Sequence, residues 1–483
     1  MRPMSAQRQI PPRRGYHGQM HAQANALRQK LAALLGALEH GLVERRRQVR
    51  LALLVALAGE HTLLIGPPGT AKSELARRLH LAFEDASYFE RLLTRFSVPE
   101  ELFGPLSISA LEQDRYERQT AGYLPQASIA FIDEVFKANS AILNALLTLL
   151  NERQFDNGAG RQDCPLISVI GATNAVPADE VAEAFFDRFL MRLPVGPVSA
   201  GGFDELMALT DDGGPRVAGA LTQPERAAIT RAAAAVRTGA EVAQLLAELR
   251  AYLAGGEIYV SDRRWVKIAL LLKVAAATEA RAQLSLWDLW LLPWCTAHDA
   301  AGQAAVSDWL LERLGVRAAL SPPLLTRVVE AFEAQAALEQ EADDLDYDAS
   351  GRLQFSAELD ERVGDAKGAA QVARMRYTRR RRYGETHIAA RLRQVDELGA
   401  RIAGYADELR ARRTELDAYC AQSLWLDRDF AARVGANLEA TGLALAALSE
   451  RVAKARAAFA ALPRLPVDPG TVPEPVAHEL SAS

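Results

Sequence analysis

The chain has 483 residues, 49% hydrophobic and 24% charged, with a formal net charge of −5. That length exceeds one ordinary domain, and so mild a charge makes no bulk electrostatic case for a nucleic-acid binder. The three cysteines, Cys164, Cys295 and Cys420, lie far apart; they offer neither a disulfide framework nor a metal-ligand spacing and fit a reducing compartment.

Residues 1–23 carry Pro11-Pro12 and Arg13-Arg14 with no apolar period, and read as a disordered tail, neither signal peptide nor anchor. The longest apolar stretch, Leu51–Ala58, is too short to cross a bilayer. No membrane insertion and a cytoplasmic location are therefore expected. From Ala24 to Ala58 leucines and alanines recur at helical spacing, predicting two helices that meet near Gly41-Leu42-Val43-Glu44.

The run His61–Ile65 reads as a strand, followed by Gly66-Pro67-Pro68-Gly69-Thr70-Ala71-Lys72-Ser73 and a helix opening at Glu74. Strand, glycine-rich turn, Lys-Ser and helix start together hold a nucleotide triphosphate: turn N–H groups face the phosphates and the helix N-terminus adds partial positive charge. Lys72 reaches the β/γ oxygens, and Ser73 puts its hydroxyl on Mg²⁺. Ala71 stands where a glycine is expected; the turn survives if Ala71 already has helical dihedrals. The junction around Val43 can fold across the adenine ring of ATP or ADP, or pack as ordinary helix contact.

Tyr88–Thr94 is a candidate second strand, and Glu101–Pro125 reads as an inserted hairpin before the next. Ile129–Ile132 is a buried parallel strand, delivering Asp133 and Glu134 to the edge where ligands bind in open α/β sheets. Asp133 can hold Mg²⁺ through water, and Glu134 can orient or deprotonate the attacking water. Asn139–Leu150 puts Ile142, Leu146, Leu147 and Leu150 on one helix face, and Asp156-Asn157-Gly158 suits a second small hairpin. Leu166–Ala172 is a strand delivering Thr173 and Asn174, and Phe189–Val195 is the last, preceded by Asp187-Arg188. The alternation predicts an α/β fold, a three-layer αβα core on a parallel five-stranded sheet. Thr222–His298 turns wholly helical, a lid in which Ser261-Asp262 caps the helix bearing Arg263. Glu339–Asp348 reads as a solvated acidic connector. Glu358–Ala461 reads as helix without strands; Val395, Leu398, Ile402, Tyr405, Leu409 and Leu416 form the seam of a long hairpin or coiled coil. The tail after Leu462 is proline-rich and expected to be mobile. The domains expected are 1–23, tail; 24–198, core; 199–300, lid; 301–461, helical domain; and 462–483, tail.

With these segments in order, the chain resembles an AAA+ ATPase of the MoxR branch. GPPGTAKS, FSVPEELFGPLS, GYLP, FIDEVFKA, LLNERQF and DRFLMRL carry the likeness, and VSDRRW makes it closest to the RavA type (regulatory ATPase variant A). It spans Leu31 to His298. The resemblance implies that Asn174 senses the γ-phosphate. It implies that Arg188, with Arg192 as a second candidate, is an arginine finger given to the neighbouring subunit, and that Arg263 or its neighbour Arg264 touches phosphate of its own chain. It further implies a hexameric ring of the chain with itself, a von Willebrand factor A domain partner, and remodelling of a client protein by inserts that face the ring axis. The C-terminal third departs from the RavA pattern, lacking the expected β-rich module that recruits a lysine decarboxylase. Trp425 and Phe430 are expected packing anchors.

Three rival readings remain open at this stage. Arg374–Tyr383, basic with interleaved tyrosines, could bind phosphates and stack bases in a helicase or transcription activator, though such a strip is more often a solvated face. A nucleotide-gated scaffold needs neither Glu134 nor Arg188. A metal-chelatase motor shares the core.

Overall fold

The computed structural model describes residues 14–158, 160–175, 180–209, 217, 219–256, 258–314, 322–345, 356–358, 374–376 and 378–478. These divide into two units. One runs to Leu310 and takes in Ala418–Ala431; the other comprises Leu311–Asp417 and Ala432 onward.

The first unit opens with helices α1 (Arg14–Glu39) and α2 (Arg46–Leu57), followed by β1 (His61–Ile65), α3 (Lys72–His80) and β2 (Tyr88–Leu92). The helix thus begins at Arg14, inside the segment expected to lack structure; residues 1–13 of that expected tail lie outside the described residues. Short helices α4 (Glu100–Phe103) and α5 (Ile108–Leu111) precede β3 (Ile129–Asp133) and α6 (Ser140–Glu152). The hairpin β4 (Gln154–Asn157) and β5 (Gly160–Asp163) leads to β6 (Ser168–Thr173), α7 (Glu180–Phe186) and β7 (Phe189–Pro194).

Strands β2, β3, β6, β1 and β7 lie in that order, every pair parallel. The largely apolar character of β1, β3, β6 and β7 is what a sheet covered on both faces demands: Leu63, Leu64, Phe131, Ile132, Val169, Ile170 and Leu193 are all at most 1% exposed, whereas the edge strand β2 exposes Glu90 and Leu92. Asn139 starts α6 by accepting the Ile142 N–H on its side chain. The insert before β3 is two short helices and one bridge, Leu106 to Arg118, rather than a regular hairpin. It is clasped to the β4–β5 hairpin: Asn157 accepts from the Arg118 N–H at 2.6 Å and donates to the Arg118 carbonyl at 3.2 Å.

The lid follows: α8 (Phe203–Met207), α9 (Gln223–Ala235), α10 (Ala240–Gly255), α11 (Asp262–Thr278) and α12 (Leu292–Thr296), with α13 (Ala300–Arg313) running out of it. A Thr222–Glu225 capping box starts α9, and the Ser261 hydroxyl accepts the Arg264 N–H to start α11. Ala418–Ala431 packs here. Trp425 is 1% exposed and donates its indole N–H to the Thr278 hydroxyl at 2.9 Å, and Phe430 lies against Trp290. Both anchors expected from sequence are buried.

In the second unit, α14 (Pro322–Glu341), most of α15 (Glu385–Gln422) and most of α16 (Arg428–Ala460) are helical, and every seam residue from Val395 to Leu416 is buried. One expectation fails here and two hold only in part. Strands are present: β8 (Asp343–Leu345) pairs with β11 (Thr378–Arg380), and β9 (Ser356–Glu358) pairs with β10 (Arg374–Arg376). The acidic stretch is solvated in part: Glu341, Asp343, Asp344 and Leu345 are exposed, and residues 346–348 lie outside the described residues. Glu339 is buried under Arg391 and His387, and Asp343 and Asp344 stand opposite Arg380 and Arg379. Opposite charges across a ladder attract, so part of the basic strip is matched within the chain. The residues after Leu462, as far as 478, are mostly exposed but tied to the rest of the unit at several points. The Leu465 N–H donates to the Tyr383 carbonyl, Asp468 accepts from the Thr386 N–H, and Val476 is 6% exposed.

Candidate functional site

The carboxyl edge of the sheet gathers the phosphate-loop residues with the acids. Parallel register sets Ile65 level with Thr173 on one side and Pro194 on the other, so Gly66, Asn174 and Val195 emerge together. Gly66 admits no side chain: a Cβ would lie 2.0 Å from the Val195 carbonyl oxygen. Its N–H is held by the Thr173 carbonyl at 2.9 Å. Gly69 takes φ +78°, open to glycine without strain. Ala71 departs from expectation: it lies outside the helix, at the N-cap of α3, in the left-handed region with φ 63° and ψ 26°. Its methyl makes that conformation cost about 1–2 kcal/mol, so the loop is strained where a glycine is expected.

Pro67, Pro68 and Gly69 are exposed, Thr70 and Lys72 buried, and Ser73 half-buried. The Lys72 ammonium donates to the Gly66 and Pro67 carbonyls at 2.7 and 2.8 Å. Burial pushes its pKa down, while Asp133 and Glu134 oppose that shift. The Glu74 carboxylate is taken by Arg78 at 2.7 Å and turns away from the loop.

Asp133 ends β3 half-buried, two strands from β1, and its Oδ1 accepts the Glu134 N–H at 3.0 Å. Glu134 takes φ 50°, another left-handed residue, with Lys137 at 3.4 Å. Such strain is held by surrounding structure and clusters at working sites. Asn174 is exposed one residue past β6, where the Thr173 hydroxyl donates to the Ala175 carbonyl at 2.8 Å and tightens the turn.

Arg188 and Arg263 belong to the other edge. Phe189 pairs with His61 at the start of β1, so Arg188 lies beyond the amino end of the sheet. Five residues of strand at about 3.3 Å each put it about 16 Å from its own phosphate loop, more than twice the reach of an arginine side chain. Its Nε is buried with no partner among the described residues. Burial, and next the charge of Arg263, disfavour the Arg188 cation. The Asp187 carboxylate belongs instead to Arg264 at 3.1 Å and Arg192 at 3.7 Å.

Arg263 corrects an expectation. It donates to Asn151 Oδ1 at 2.8 Å, at the end of α6, and Leu150 beside it bonds His61. That is the amino edge, beside Arg188 and away from its own phosphate loop. Arg264 is a structural staple, 3% exposed, donating to the carbonyls of Cys295, Asp187, Phe189 and Leu190. Arg192 is fully buried with Phe186 at 4.0 Å over its guanidinium, so it cannot reach a neighbouring subunit.

Val43 is buried in the turn before α2, beside a residue that sequence reading passed over. Arg45 donates to the Thr70 carbonyl at 3.1 Å and to the Gly196 carbonyl at 2.7 Å, bringing the Val43 turn against the phosphate loop. Glu44 accepts from the Ser199 N–H at 2.7 Å. Nothing in the run Glu44-Arg45-Arg46-Arg47 marks one arginine over the next.

A family model described as the MoxR domain of MoxR–vWA–beta-propeller ternary systems matches residues 29–228, and one for an AAA lid domain matches residues 241–310. An uncharacterized protein of Methanocaldococcus jannaschii is 40% identical over 265 residues, 54% of this chain and 69% of that protein. Protein MoxR of Paracoccus denitrificans is 29% identical over 170 residues, 34% of this chain and 49% of that protein. A crystal structure from Cytophaga hutchinsonii ATCC 33406, provisionally described as an ATPase, aligns with TM-score 0.51 at 18% identity. It covers 62% of this chain and 99% of its own, a likeness of fold.

Proposed function

Since the chain belongs to the MoxR family of AAA+ ATPases, we propose that it hydrolyses ATP at sites shared between neighbouring copies of itself. Gly66–Ser73 with the backbone of Glu74 cradles the phosphates, and Lys72 leaves its loop carbonyls for the β/γ oxygens. Ser73 and Asp133 are the residues that would hold Mg²⁺, whose charge offsets that of the phosphates when bound. Glu134 takes the proton of the attacking water and Asn174 orients that water. Val43 borders the adenine.

The observation that carries the reading is the separation of Arg188 from its own phosphate loop, on opposite sheet edges. A guanidinium on the transferring phosphoryl group is worth ~10³–10⁵ in rate, and only a neighbour's Arg188 can supply it. Arg263, bonded to Asn151 and set beside Arg188, joins it in facing the neighbour. Mixing separates shared from self-contained sites. Lys72→Ala and Arg188→Ala protomers are each inactive, and an equal mixture regains turnover because the former lends Arg188 to the latter. A mixture as inactive as its components, with assembly verified by light scattering, refutes shared sites.

The wider proposal is a hexameric ring, RavA-like, in the cytoplasm, that remodels a client protein with a von Willebrand factor A domain partner. The matched domain's description names vWA systems, and the segment from Phe96 to Tyr116 exposes Phe96 at 84%, Ile108 at 74% and Tyr116 at 55%, a surface for gripping protein. The division into core 24–198, lid 199–300 and helical domain 301–461 is part of the same proposal. Among the described residues no helix is long and apolar enough to cross a membrane. Nucleic acid is left out, because Arg379 and Arg380 stand opposite Asp344 and Asp343.

A further inference from the structure

We infer that Arg45 is a positioning residue of the phosphate loop: it holds the Thr70–Ala71 peptide so that the Ala71 N–H faces a bound diphosphate. The inference rests on the ATP reading above. Arg45 is 5% exposed, and its guanidinium donates to three carbonyls: Glu44 of its own turn through Nη1 at 3.0 Å, Thr70 through Nε at 3.1 Å and Gly196 through Nη2 at 2.7 Å. The C=O and N–H of one trans peptide point opposite ways. Drawing the Thr70 oxygen outward onto Arg45 therefore turns the Ala71 N–H inward, to the concave side of the turn. Ala71 needs such a hold, because its φ of 63° disfavours a residue with a Cβ.

Arg45 is itself held in place. Its neighbour Glu44 sits at φ 55°, with a carboxylate that accepts the Ser199 N–H and hydroxyl. Gly202 is close enough that a Cβ there would lie 2.7 Å from the same carboxylate. The turn is thus fastened to the segment leading from β7 into the lid, and Arg45 extends that anchorage to the phosphate loop. Its sequence neighbours face elsewhere: Arg46 lies 3.9 Å from Glu39, Arg47 bonds Asp427, and Arg50 bonds Glu39 and the Leu424 carbonyl.

The test compares Mg²⁺-dependent binding of fluorescent mant-ADP and mant-AMP to the full chain. Only ADP carries the β-phosphate that the loop cradles, so the ratio of the two affinities isolates the loop from the base pocket. In Arg45→Ala the preference for ADP falls about tenfold, the worth of one hydrogen bond to a charged group, while AMP affinity stays near wild type. Arg45→Lys keeps the charge but cannot fork between two carbonyls, and its preference falls too. A merely structural role would weaken both nucleotides by one factor; that result, or a wild-type ratio in either variant, overturns the inference. Should neither fold, Glu44→Ala frees the turn without touching Arg45: a reduced ratio supports the inference and an unchanged one overturns it. Wild-type chain that binds no mant-ADP refutes the ATP reading itself, and the inference falls with it.

Discussion

Two adjacent arginines at the start of α11 have opposite consequences when removed. Arg264 is 3% exposed and bonds four backbone carbonyls and the Asp187 carboxylate. Truncation to alanine strands those acceptors between the lid and the first residues of β7. Removing one partner of a buried ion pair costs about 3–5 kcal/mol. Asp187 keeps Arg192 at 3.7 Å and its side chain is 39% exposed, so water reaches the orphaned carboxylate. The low end applies, about 3 kcal/mol. Arg263 is exposed and has one side-chain partner, Asn151, so Arg263→Ala costs at most about 0.5 kcal/mol. Urea unfolding followed by tryptophan fluorescence reads both, since Trp287 and Trp290 report from the lid at 2% exposure each. The turnover of the proposed ATPase should move the other way, with Arg263→Ala losing activity at wild-type stability. Arg264→Ala within 1 kcal/mol of wild type, taken against the cited range of about 3–5 kcal/mol, would refute the staple, as would an equal loss in Arg263→Ala.

His61 accepts the Val169 N–H on Nδ1 at 3.0 Å and faces the Leu150 carbonyl at 3.2 Å, so it is held neutral, and burial pushes its pKa well below 6.5. The unfolded chain binds the extra proton first, so stability rises with pH up to about 6.5 and falls by up to ~1.4 kcal/mol per unit below it; His61→Gln should flatten that slope in urea titrations between about pH 5.5 and 7. Trp425→Ala removes a side chain 1% exposed and its bond to Thr278, at about 3–5 kcal/mol, and amide exchange should quicken across Ala418–Ala431 first. Ala71→Gly relieves the left-handed alanine and should stabilise the chain by about 1 kcal/mol in the same urea assay. Iodoacetamide at neutral pH should label Cys420 and spare Cys164 and Cys295, whose buried thiols are pushed up to about 11 and about 12.

Most of the sheet was legible because β1, β3, β6 and β7 are largely apolar runs, and parallel strands buried on both faces leave that mark in one dimension; the edge strand β2, Tyr-Phe-Glu-Arg-Leu with only Phe89 buried, lacks it. Lys72, Asp133 and Asn174 were legible for the same reason: a residue that ends such a strand, or follows its turn, must emerge at the carboxyl edge. Edges are a different matter. Arg188, Arg192, Arg263 and Arg264 look alike in sequence, and only the register of β7 on β1 and the packing of α11 sort them. One is buried under Phe186, one is saturated by carbonyls, and two are left at the amino edge. Arg45 was invisible for a related reason, since its partners are backbone carbonyls at Glu44, Thr70 and Gly196, and carbonyls carry no residue identity.

The pairing of the acidic and basic stretches of the second unit was hidden by distance, because Asp343-Asp344 and Arg379-Arg380 belong to well-separated segments of the chain. All four are exposed, as each run read alone suggests, and the ladder sets Asp343 opposite Arg380 and Asp344 opposite Arg379, so each run lies across from opposite charge. Composition read in windows cannot see a partner that the fold brings in from outside the window. For that reason residues whose role depends on a backbone carbonyl or a distant counter-charge have to be located in three dimensions, whereas those that end a buried strand can be read directly from the chain.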